Sequence, residues 1–92
     1  MRVARRFFIS GRVQGVGFRY FTQDVALREG VAGFVRNCRD GRVEAVIEGD
    51  AEAVARVERS LRSGPGGARV ERVMVLDEDA TGYDRFDILA TG

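Results

Sequence analysis

The segment Gly11-Arg12-Val13-Gln14-Gly15-Val16-Gly17-Phe18-Arg19 carries the residue types best suited to chemistry. It joins a strand-like run to the start of a helix-like run. Such a junction offers unpaired backbone N–H groups at the positive end of a helix dipole. Glycines at 15 and 17 let the backbone pass through positive φ and aim successive N–H groups inward, which makes an anion nest. Arg19, at the helix mouth, adds a planar charged fork that matches two phosphoryl oxygens. Together these residues would hold a small tetrahedral anion. On glycine content alone, the same segment also reads as a flexible connector bearing a surface arginine. Two familiar phosphate-binding loops fail on spacing. A Walker A loop needs a Lys, which the chain lacks, and a dinucleotide fingerprint needs Gly at position 20, where Tyr20 stands.

A second constellation is Gly33-Phe34-Val35-Arg36-Asn37-Cys38-Arg39-Asp40-Gly41. Asn37 is the only asparagine in the chain, and it ends a strand-like run just before a turn. By itself it reads as a turn residue bonding its own backbone. Cys38 would need an arginine six residues on to serve as a cysteine-phosphatase nucleophile, and Glu44 occupies that place. It reads instead as a buried or half-buried bystander.

The missing residue types narrow the chemistry. With no His there is no imidazole base and no His metal ligand, and with no Lys there is no Schiff base. Cys38 is the only thiol, so neither an internal disulfide nor a thiolate zinc site can form. Fifteen arginines against fourteen acids leave a net charge of +1, which argues against a polybasic nucleic-acid or membrane binder but leaves room for a local basic pocket. No apolar run approaches the ~20 residues of a membrane span, and no signal-peptide core precedes the first strand. The expectation is a single domain over residues 1–92, globular and cytoplasmic.

The elements that must position the two constellations follow from hydrophobic period. Val3 to Ser10 reads as a strand and Gly11 to Gly17 as a loop. Phe18 to Glu29 reads as a helix, with Phe18, Phe21, Val25 and Ala26 at helical spacing and Gly30 as its stop. Ala32 to Asn37 and Val43 to Glu48 form a hairpin about an Asp40-Gly41 turn. Asp50 caps a helix over Ala51 to Arg62, whose buried stripe is Val54, Val57 and Leu61. Glu52 with Arg56, and Glu58 with Arg62, stand four apart with the acid first. After the Ser63-Gly64-Pro65-Gly66-Gly67 loop, Val70 to Leu76 is a strand and Phe86 to Leu89 a possible last one. The order is βαββαβ. Two helices of that length pack on one face of an antiparallel sheet, so the expected class is α+β, a ferredoxin-like plait.

At this point the two constellations together resemble the acylphosphatase family. Its first signature corresponds to Ile9 through Arg19. Its second corresponds to Gly33 through Gly49, with Asn37, Gly41, Val43 and Gly49 at the family's spacing. The similarity runs over nearly the whole chain and is weakest after Leu76. It implies hydrolysis of acyl phosphates, which are carboxyl-phosphate mixed anhydrides, to carboxylate and phosphate. By resemblance, the backbone N–H groups of Val13, Gln14, Gly15, Val16, Gly17 and Phe18 cradle the phosphoryl group, Arg19 binds it, and Asn37 orients the attacking water. The resemblance further implies no metal and no organic cofactor. The expected partners are a small-molecule acyl phosphate and inorganic phosphate, the latter as product and competitive inhibitor. Neither nucleic acid nor membrane is expected as a partner, and the chain is expected to be a monomer.

Such a spare site is chemically sufficient. The leaving carboxylate is a weak base, so no general acid is required. Phosphoryl transfer runs through a loose transition state that asks mainly for positioning and electrostatics. Two other readings stay open. One is an RNA-binding module of the same plait, which would stack bases on aromatics of its central strands, although Val43 to Glu48 offers glutamates and no aromatic. The other is a non-catalytic acyl- or carbamoyl-phosphate-binding module, like the acylphosphatase-like domains that begin larger maturation enzymes.

Overall fold

A computed structural model describes residues 1–92 and resolves them into seven elements. These are β1 (Arg2–Arg12), α1 (Phe18–Glu29), β2 (Ala32–Asn37), β3 (Val43–Asp50), α2 (Ala51–Ser63), β4 (Arg69–Glu78) and β5 (Phe86–Ile88). The sheet order is β4-β1-β3-β2-β5. The first four of these strands pair antiparallel, in the order of a ferredoxin-like plait. The fifth departs from the expected all-antiparallel sheet, because β5 runs parallel to β2 and makes the sheet mixed. Its direction follows from the chain path. β4 ends beside the start of β1, and the chain turns back there to return along the opposite edge.

Alternation along the strands sorts the two faces of the sheet. Phe7, Ile9, Val35, Val43, Ala45 and Ile47 face the helices and are buried with Val54, Val57 and Leu61 of α2 and Val25 and Ala26 of α1. The other face carries Arg6, Phe34, Arg36, Glu44 and Glu48. There charged pairs take the place of a second helical layer. The Glu44 carboxylate, almost fully buried, accepts from Arg36 at 2.6 Å and from Arg6, which also reaches Glu78. Glu48 is fully buried and accepts from Arg2 Nε and from the N–H groups of Thr81 and Gly82, each at 2.9 Å. The return segment between β4 and β5 is thus pinned across the sheet by one carboxylate.

The helix stripes match their spacing, with two differences. Thr22 rather than Phe21 is fully buried in α1, its hydroxyl satisfied by the Phe18 carbonyl at 2.8 Å. The Glu58–Arg62 pair forms, but Arg56 turns away from Glu52 and donates to Glu29 of α1 at 2.7 Å. The helices lie side by side, so a tertiary partner displaces the local one. β1 also runs two residues further than its hydrophobic pattern, through a register shift between Ser10 and Gly11 that keeps it paired with β4 as far as Arg69.

Candidate active site

The two helices begin differently. Asp50 caps α2 by accepting the Glu52 N–H at 3.2 Å, and Glu52 adds a carboxylate in the first turn. α1 has Gly17 at its N-cap in the left-handed region (φ 77°), no side-chain cap and no acid in its first turn. Gly15 is also left-handed, at φ 74°. Within this stretch the N–H groups of Gln14 through Tyr20 donate to no acceptor in the protein, and the first amide to do so is Phe21, to Gly17 O at 3.0 Å. An uncapped helix start preceded by two αL glycines is an anion-binding geometry.

Two buried side chains hold this loop in place. Val13 and Phe18, 1% and 2% exposed, anchor its ends in the core, and Phe18 meets Phe21 edge-to-face at 5.9 Å. Between those anchors Gly15 and Gly17 are exposed. The backbone of the nest therefore lies at the surface while its two ends are anchored in the core.

The sheet register brings Asn37 to the same end of the molecule. Ile9 of β1 pairs with Val43 of β3, and Val43 pairs with Asn37 of β2. Asn37 thus lies two strand spacings from β1, about 10 Å. It follows Val35 by two residues and so shares the helix-facing side of the sheet. The loop and Arg19 lie on that side and at that end. Arg19 is half-buried and has no ion pair, and the Asn37 carboxamide has no hydrogen-bond partner. A direct tie joins the two segments: Gln14 Nε2 donates to Cys38 O at 2.7 Å and to Arg42 O at 3.0 Å. That tie was not legible in the sequence, where Gln14 figured only through its backbone.

Charges without partners are distributed unevenly. Arg12, Arg19, Arg39, Arg59, Arg69 and Arg72 have no acid within ion-pair distance, and all belong to the loop end of the molecule or to the last turns of α2 leading to it. The unpaired acids Glu52, Asp79 and Asp84 belong to the other end, leaving Glu71 as the exception. Cys38, beside Asn37, is a poor nucleophile. Burial pushes its thiol above the usual range, helped by the charges of Glu44 and Asp40. No three His, Cys, Asp or Glu side chains gather as a metal site. The one sizeable hollow, about 350 Å³, lies at the far end of β1 between Arg2 and the acidic run Asp77, Glu78 and Asp79. Three carboxylates there make it unsuited to a phosphate.

The acylphosphatase family model matches residues 5–88. The chain belongs to the acylphosphatase family. An acylphosphatase from Nitrobacter hamburgensis is 59% identical over 71 residues, covering 77% of this chain and 72% of that one. The crystal structure of acylphosphatase from Bacillus subtilis superposes with a TM-score of 0.92 at 38% identity, covering 95% of this chain and 98% of that one. The same fold matches full-length HypF, solved in a phosphate- and nucleotide-bound form, with a TM-score of 0.92 at 27% identity. It covers 99% of this chain but 12% of that much longer one. The reaction of acylphosphatases is hydrolysis of acyl phosphates, and this acylphosphatase-family chain is an enzyme of that class. No helix is long and apolar enough to cross a membrane.

The RNA-binding alternative finds little support in the sheet's open face. Phe8 lies under the Arg42 guanidinium at 4.4 Å, and Phe34 lies between Arg6 and Arg36, each 5.9 Å from its centroid. The aromatics that would stack bases are covered, and buried carboxylates lie among them.

Proposed function

We propose that the chain, as one domain over residues 1–92, hydrolyses acyl phosphates by direct attack of water on a phosphoryl group. In this reading the N–H groups of Val13, Gln14, Gly15, Val16, Gly17 and Phe18 receive the phosphoryl oxygens, and the Arg19 guanidinium binds two of them. Asn37 orients the water, since a carboxamide both donates and accepts hydrogen bonds. The water oxygen bonds to phosphorus as the carboxylate oxygen leaves with the electrons of the P–O bond. The second proton of the water passes to a phosphoryl oxygen, so the products are carboxylate and dihydrogen phosphate. A loose transition state gathers charge on the equatorial oxygens, where oriented dipoles and a guanidinium stabilise it most.

The observation that carries this reading is the unbroken run of unpaired N–H groups from Gln14 to Tyr20 at the mouth of α1, a stretch that includes Arg19, which has no ion pair. The same reading makes inorganic phosphate the product and a competitive inhibitor, and it takes the enzyme to be a cytoplasmic monomer. The test is turnover of benzoyl or acetyl phosphate with increasing inorganic phosphate. Competitive inhibition is expected, and inhibition that leaves KM untouched would place phosphate outside the cradle.

A further inference from the structure

The Gln14 side chain is engaged away from the unpaired N–H groups around it. Its two acceptors are both carbonyl oxygens, Cys38 O at 2.7 Å and Arg42 O at 3.0 Å, so the NH₂ group is the end that faces them. These two residues flank the β2–β3 turn. Within the turn, Cys38 N–H donates to Arg42 O at 2.8 Å, Gly41 N–H to Cys38 O at 3.1 Å, and Arg42 N–H to Asp40 Oδ1 at 3.0 Å. All three bonds lie inside the turn and fix its shape. None fixes where the turn lies relative to the loop before α1. The β2–β3 ladder ends at Asn37 opposite Val43. Beyond that point, the Gln14 carboxamide is the one hydrogen-bonding link from loop to turn.

We infer that Gln14 is a positioning residue: its side chain sets the separation between the phosphate cradle and the Asn37 carboxamide. The inference rests on the roles of the cradle and Asn37 proposed above, in which the Gln14 N–H takes part, and assigns the Gln14 side chain no contact with substrate. The geometry explains why one residue can do this. Gln14 belongs to the loop by its backbone and to the turn by its side chain, and Cys38 adjoins Asn37 in sequence. A water held by Asn37 must lie in line with the scissile bond of a phosphoryl group held by the loop. A shift of about 1 Å between those two supports costs on the order of 10²-fold in rate. Phosphate binding needs the loop alone, so it should be indifferent to the link.

The test is Gln14→Met, which keeps length and volume and removes both donors, with Gln14→Ala as a second truncation in case the thioether packs differently. In each, kcat for acetyl phosphate is expected to fall by roughly 10- to 100-fold. KM and the inhibition constant of inorganic phosphate should stay within a factor of about 3, as expected for an interaction that matters in the transition state alone. In an Asn37→Ala background the same substitutions should lower kcat by less than a factor of about 3, because Gln14 acts through Asn37. Wild-type kcat in both Gln14 variants would overturn the inference. So would a loss of phosphate affinity matching the loss of kcat, or a full additional loss on top of Asn37→Ala. If Asn37→Ala itself kept wild-type turnover, the underlying reading would fall and take the inference with it. An impaired Asn37→Ala beside unimpaired Gln14 variants removes the inference alone.

Discussion

The backbone of Gly92 grips that of Asn37: its N–H donates to the Asn37 carbonyl at 3.1 Å, and its backbone oxygen accepts the Arg39 N–H at 3.2 Å. With Val43 of β3 paired on the other side, the Asn37 backbone has a partner on each edge of its strand, and its side chain makes no hydrogen bond. None of these anchors uses the carboxamide. Asn37→Ala is therefore expected to keep the fold and its melting temperature while kcat falls by about 10²–10³-fold, the scale of a deleted oxyanion donor. Steady-state kinetics beside a thermal melt check this, and full activity in the variant would remove Asn37 from the mechanism.

Arg19 has no acid partner to lose, so its removal should touch chemistry more than stability. Arg19→Ala is expected to lower turnover by roughly 10³-fold or more, by comparison with arginines that stabilise phosphoryl transfer elsewhere. Arg19→Lys should not restore it, because a point charge lacks the planar fork. Recovery of activity with lysine would show that charge alone suffices at that position.

The proposed mechanism uses no general acid, and that sets the substrate. A carboxylate leaves unaided and an alkoxide does not. Acyl phosphates should be hydrolysed while an alkyl phosphomonoester at the same concentration stays intact over the same period. Turnover is expected to be unchanged in excess EDTA. Comparable rates on ester and anhydride would require a general acid among the side chains at the site.

Stability should carry an acid limb from Glu48. Burial would raise its carboxyl, but the Thr81 N–H, the Arg2 guanidinium and the Gly82 N–H together hold it below the usual range. A carboxyl depressed in the folded state adds stability that is fully present above its unfolded value of about 4.3 and is lost as pH falls through the folded one. The melting temperature is expected to drop below about pH 4.3. Glu48→Gln, less stable at neutral pH, should show a shallower drop. Parallel melting curves for the two proteins from pH 7 to pH 3 would remove Glu48 as the source.

Much of the fold was readable because its signals are local. α1 and β2 match their expected bounds, since Gly30 ends one and the Asp40-Gly41 turn follows the other. The loop glycines and Arg19 were readable for the same reason, as were Asp50 and its cap. What stayed hidden depends on distant partners. The short β5 was legible as a last strand, but its parallel pairing along the free edge of β2 was not. The grip of Gly92 on Asn37 has no pattern in the sequence at all. Arg56 had a local partner at correct spacing and took Glu29 instead, because helix packing is not written in either helix alone. The Gln14 link belongs to the same class: a side chain whose role is decided by a turn 24 residues away.

The uneven placement of unpaired arginines and acids has a consequence for encounter. A chain with a net charge of +1 barely attracts anions from afar as a point. With the unpaired arginines gathered toward the loop before α1 and most unpaired acids toward the other end, a diffusing dianion is expected to be turned toward the proposed cradle before contact. Added electrolyte should erode that guidance once the screening distance drops below about 10 Å. The capture rate, read as kcat/KM, then declines with salt while kcat holds level.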